Sequence, residues 1–215
     1  MLKKFLILLG FSIAMAFVEA AVVVYLRQLY YPEGFAFPLR QIPQNILTVE
    51  LGREFSTIVM LATVGAMAGS NLVERFSYFL FCFGVWDIFY YIWLKLMLDW
   101  PESLLTWDIL FLIPVPWVGP VLAPILVALT MAVIGIVAIY RIGKGAILRV
   151  SKFDWLLGFV AALSIFISFV WDFPRMINQE LPSPYHWEFL MLGEFMILGA
   201  FFHILKHSKA VSAMS

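Results

Sequence analysis

Six runs of roughly twenty mainly apolar residues, 5–26, 50–69, 76–98, 119–140, 153–173 and 187–205, occupy most of the 215-residue chain. About twenty such residues let a helix cross the hydrocarbon core of a bilayer, where every backbone polar group must be satisfied internally. The runs therefore predict an all-α, polytopic integral membrane bundle of six transmembrane helices, forming one domain over 1–215. Composition agrees: 63% of residues are hydrophobic and 13% charged, against about half and a quarter in soluble domains. This excludes a soluble enzyme and a disordered tail. The 14 Lys and Arg residues are matched by 14 Asp and Glu residues, so no positive excess is left for nucleic acid.

Between the third and fourth runs, Leu104 to Pro114 is apolar but too short to cross, and it is followed by Pro116, Trp117, Gly119 and Pro120. It reads as a re-entrant or interfacial half-helix over 104–113, with Thr106 as its cap. Lys3 and Lys4 followed by an apolar stretch resemble a secretory signal, but the run continues to Leu26, so it reads as an uncleaved first span. Lys and Arg in short loops set the orientation. Lys3, Lys4, Arg75, Arg141, Lys144, Arg149, Lys152, Lys206 and Lys209 fall on one side, against Arg27, Arg40 and Arg175 in the opposite loops. Both termini are then cytoplasmic, in a cell-membrane protein. The Trp-Asp pairs at 86, 107 and 171 have unequal spacing and different flanks, and make no repeat.

The acids are distributed differently. Only Glu74 and Asp154 lie on the predicted cytoplasmic side. Glu33, Asp99, Glu102 and Glu180 suit a solvated rim. At 1.5 Å per residue, Glu19 lies roughly 10 Å, Asp87 roughly 16 Å and Glu194 roughly 11 Å inside the outer boundary. Ionisable groups at such depth usually face the bundle interior and have partners. Asp87, Tyr91 and Lys95 recur at i, i+4 and i+8, with Tyr90 beside them, while Glu50, Arg53 and Glu54 share the first turn of the second span. Lys95 is placed to pair with Glu54 or Glu50, and Arg53 with a neighbouring carboxylate. These groups can equally be ion pairs or snorkelling chains that only hold the bundle. Arg53 and Lys95 are the only bases within the spans, too few for the deep acids, which would then take up a proton or coordinate a cation.

The expectation is a polar outer-half cavity lined by Glu19, Glu50, Arg53, Glu54, Asp87, Tyr91, Lys95 and Glu194, with Asp108 and Asp172 at its rim and Tyr90 in support. Its leading function is proton or cation handling, by a small transporter or a cofactor-free subunit of a larger membrane complex. The alternatives are an intramembrane enzyme acting on a lipid or isoprenoid, with Asp87 or Glu54 as general acid or base, and a purely structural or assembly subunit. The expected partners are membrane lipids and other membrane subunits or further copies of the chain. His203 and His207 have the spacing of a metal pair but sit beside Lys206, remote from the acids, so neither a metal nor a cofactor is expected. Cys82 is single and implies no disulfide within the chain.

Overall fold

The computed structural model describes residues 2–40 and 42–210. Its elements in chain order are α1 (Leu2–Tyr30), α2 (Gln44–Ala68), α3 (Leu72–Leu98), β1 (Trp107–Phe111), β2 (Trp117–Pro120), α4 (Leu122–Gly143), β3 (Ala146–Ile147), α5 (Lys152–Val170), α6 (Phe173–Ile177), α7 (Trp187–Lys206) and β4 (Lys209–Ala210). Five helical stretches, α1, α3, α4, α5 continued through α6, and α7, are long and apolar enough to cross a membrane. The sixth long helix, α2, has 25 residues and carries Glu50, Arg53 and Glu54 in its first half.

Local signals account for the helix ends. The Asn71 side chain accepts the Glu74 N–H and starts α3, while Glu74 accepts the Ser70 N–H. Ser151 and Asp154 form a reciprocal capping box at the start of α5. Asp99, at φ +52°, ends α3 in the left-handed conformation that closes many helices.

Helix α3 is the hub. Its Phe81, Cys82 and Trp86 pack with Leu8, Met15 and Ala16 of α1 and Leu61 of α2, and the Trp93 indole donates to the Ile13 carbonyl at 3.1 Å. On the opposite face α3 meets α4 closely. A Cβ at Gly84 would lie 2.3 Å from the Ala128 carbonyl oxygen, and one at Gly135 would lie 2.7 Å from the Phe81 nitrogen. Helices α5 and α7 form a second pair, tied where Ser164 Oγ donates to the Phe189 carbonyl at 2.7 Å. This pair meets the rest of the chain through α7 on α4 and α5 on β2.

One expectation is corrected here. Residues 104–113 form no half-helix: 107–111 is a strand, paired antiparallel with 117–120 across the Pro114-Val115-Pro116 turn, with Asp108 opposite Gly119 and Ile109 opposite Val118. The physical reason is hydrogen-bond supply. A half-helix ending on two prolines would leave its last carbonyls unpaired, whereas the hairpin satisfies its backbone across the strands and onto α2, where Leu112 N–H donates to Glu54 Oε2 at 2.8 Å. The hairpin closes the end of the bundle that holds the C-terminal ends of α1 and α3.

Candidate functional site

Three helices and the hairpin converge on a cavity of about 130 Å³. Helix α1 contributes Glu19 and Arg27, two turns apart. Helix α2 contributes Glu50, Arg53 and Glu54, which the i, i+3, i+4 spacing puts on one face, and α3 contributes Asp87, Tyr90 and Tyr91. The hairpin adds Asp108 and the backbone up to Leu112.

Two guanidinium groups organise this chamber. Arg53 bridges the first two helices: it is paired with Glu19 and with Glu50 at 2.8 Å, and Thr57 Oγ1 donates to the other Glu19 oxygen at 3.0 Å. Arg27 is 8% exposed, and its Nη2 meets Asp108 Oδ1 at 2.8 Å. Its guanidinium lies over the Trp100 ring at 3.6 Å and the Phe35 ring at 4.6 Å. Asp108 also accepts the Ile109 N–H at 2.9 Å and the Tyr91 hydroxyl at 3.4 Å. Burial raises the Asp108 carboxyl to about 6, against the opposing pull of Arg27 and these hydrogen bonds.

The remaining acids of the chamber are paired with no base among the described residues. Glu54 is held by the Leu112 amide. Asp87 has neither a hydrogen-bond partner nor a counter-charge among the described residues. It borders the polar chamber on one side and a second, larger space on the other. That space is a cleft of about 660 Å³ between α3 and α4 on one wall and α5 and α7 on the other, within the range of about 300–1,000 Å³ typical of small-molecule sites. It runs from Asp154 and Trp155 to Phe111 and Trp117 at the hairpin, walled by residues such as Phe83, Met131, Phe159 and Phe201. Asp87 and Asp154 are the acids on its walls, and Gly158 faces it with nothing within 4 Å of the position a Cβ would take.

Glu19, Glu50, Arg53, Glu54, Asp87, Tyr90, Tyr91 and Asp108 thus come together around one chamber. Three expected members do not. Glu194, on α7, accepts from Thr130 Oγ1 of α4 at 2.5 Å, and its buried Oε1 has no partner among the described residues. Lys95 turns outward to Asp99 at 2.7 Å and donates to the Pro101 carbonyl, so it pairs with neither Glu50 nor Glu54. Asp172 accepts the Ser183 N–H and hydroxyl, fastening the segment after α6. The count of bases is also corrected, because Glu19 has Arg53, and Arg27, assigned to a loop on its position, is a buried member of the site. Its reach was legible only as continuation of the helical stripe Glu19, Val23, Arg27; Asp108, its partner, lies 81 residues away. His203 meets Asp154 at 2.7 Å, and His207 meets the His203 carbonyl.

Sequence reasoning also passed over Trp86. It borders both cavities, and its buried indole Nε1–H has no acceptor among the described residues. The chain matches no family model, no curated protein and no solved structure.

Proposed function

We propose that this chain is a multi-pass membrane protein, with both termini cytoplasmic, that houses one long-chain lipid or isoprenoid and exchanges a proton with its head through Asp87. The observation that carries this reading is the junction at Asp87 between an apolar cleft and a polar chamber. A hydrocarbon chain gains about 25 cal/mol per Å² of apolar surface it hides from water, so a 660 Å³ apolar cleft favours an acyl or prenyl tail over an ion. The head of such a molecule would emerge beside Asp87. A carboxyl with no counter-charge can give or take a proton there, as a general acid or base requires. The hairpin, fixed to α2 by Glu54 and to α1 by Arg27, closes the far side of the chamber.

The test is to purify the chain in mild detergent, extract it with organic solvent and identify the retained lipid by mass spectrometry. One enriched species near equimolar amount is expected. Gly158→Trp, whose indole occupies part of the cleft, should remove most of it, and Asp87→Asn should retain it. Absence of any enriched lipid in the wild-type chain, or full retention by Gly158→Trp, would overturn the reading.

A second reading, proton or cation handling without a lipid, draws on Glu194, whose Oε1 is buried without a partner among the described residues. Buried, unpaired carboxyls mark proton pathways in membrane proteins. Proton flux in proteoliposomes that is lost in both Glu194→Gln and Asp87→Asn, with no lipid retained, would favour it.

A further inference from the structure

The head chemistry of the proposed lipid is written in two adjacent side chains of α3. Trp86 is 6% exposed, and its Nε1–H is buried with no acceptor among the described residues. Buried donors are nearly always satisfied, so one retained at the wall of two cavities points to an acceptor brought from outside the chain. Asp87, the next residue, offers the complement: carboxylate oxygens with no donor among the described residues. Both side chains border both cavities. The junction therefore presents one unused donor and one unused acceptor group.

We propose that the ligand is an amphiphile with an uncharged hydroxyl head, such as a long-chain or polyprenyl alcohol, whose oxygen accepts from Trp86 Nε1–H and whose O–H donates to Asp87. This rests on the reading of the cleft as a lipid site. A hydroxyl has one O–H and two lone pairs, and so meets both groups at once. An ammonium head would satisfy Asp87 but has no lone pair for Trp86. A phosphate head would bring negative charge beside Asp87 and Glu54. The cations of the chamber are already engaged, Arg53 by Glu19 and Glu50 and Arg27 by Asp108. Arg27 keeps one nitrogen, Nη1, with no partner among the described residues, but its guanidinium stacks on Trp100 and Phe35 and pairs with Asp108 on the hairpin.

Four probes built on one isoprenoid carbon skeleton separate the possibilities: farnesol, farnesylamine, farnesyl phosphate and the saturated, headless hydrocarbon farnesane, each titrated into the delipidated full-length chain and followed by native mass spectrometry. Farnesol is expected to bind about tenfold or more tighter than the other three. Trp86→Phe keeps an aromatic ring against Phe83 and Tyr90 while removing the N–H. It should erase most of the preference for farnesol over farnesane. Farnesyl phosphate or farnesylamine binding as tightly as farnesol would overturn the hydroxyl head while leaving the lipid site standing. So would an unaltered farnesol preference in Trp86→Phe. Failure of all four probes, farnesane included, would overturn the lipid site and the head assignment together.

Discussion

At the scale of single residues, the two guanidinium groups differ in what their loss would do. Arginine cannot shed its proton in a protein, whereas a buried carboxyl can take one up. Replacing Asp108, which is 1% exposed, by Leu therefore strands a buried charge on Arg27, and breaking such a pair typically costs about 3–5 kcal/mol. Replacing Arg27 by Met should cost less, because Asp108 already sits at about 6 and can become neutral. The sign with pH follows. The folded value lies above the ordinary 3.8, so the folded chain binds this proton more tightly than the unfolded one. Without Arg27 that value rises further, so the deficit of Arg27→Met shrinks as pH falls from that higher value to about 6 and is smallest below it. Thermal melts of both variants at pH 7.5 and 5 check this; a deficit that grows on acidification would contradict it. The exposed pair Lys95–Asp99 belongs to the class worth about 0–1 kcal/mol, and Lys95→Ala should leave the melting temperature nearly unchanged. Asp87→Asn strands no cation, since neither Lys95 nor Arg53 pairs with Asp87, so the fold should survive it.

Among the elements, what was legible depended on how local the cause is. The long helices were readable because each apolar run stands in its own residues: α3, expected over 76–98, is observed over Leu72–Leu98. The hairpin was not read, because a strand is stabilised by a partner elsewhere in the chain, and an apolar stretch of eleven residues fits a buried strand or a half-helix equally well. Its signal was present in two short aromatic-rich runs, Trp107 to Phe111 and Trp117 to Pro120, on either side of a Pro-Val-Pro turn. Glu19, Glu50, Glu54 and Asp87 were legible by position along the helices and by helical spacing, though the same reasoning drew in Glu194, which lies outside the chamber. Arg27 was not legible, since a side-chain partner 81 residues away leaves no local trace; the outward turn of Lys95 rests on a local i, i+4 partner, Asp99, at the helix end. The hairpin's hold on α2 is open to test. Glu54→Gln keeps a carbonyl oxygen for the Leu112 N–H and should be mild, while Leu112→Pro removes the donor. Hydrogen bonds to charged groups are worth about 1.5–3 kcal/mol. Leu112→Pro should therefore be the more destabilising of the two, and should loosen the 107–120 segment to hydrogen exchange before the helices.

For the molecule as a whole, the division into an α1–α4 group and an α5–α7 pair explains why a cleft exists at all. Apolar helix faces normally close on each other, and interiors pack without voids of this size, yet α5 meets β2 and α7 meets α4 while Phe83, Met131, Phe159 and Phe201 face a space of about 660 Å³. A bound tail would complete that interior by making the contacts the two walls lack. Its removal then weakens the tie between the two groups rather than either group alone. Anything that binds the folded chain and not the unfolded one stabilises by about 2.7 kcal/mol at a free concentration of one hundred times Kd. A delipidated preparation should therefore melt several degrees lower than one saturated with farnesol, and adding farnesol back should restore it. In Gly158→Trp the indole occupies part of the cleft, so its melting temperature should respond little to farnesol. Hydrogen exchange should localise the wild-type gain to α5, α7 and the α3 face around Trp86, with the α1–α3 core around Leu61 and Phe81 unaffected. A farnesol-induced gain spread evenly over all helices, or one of equal size in Gly158→Trp, would mean that the alcohol acts through the surrounding detergent and not through the cleft.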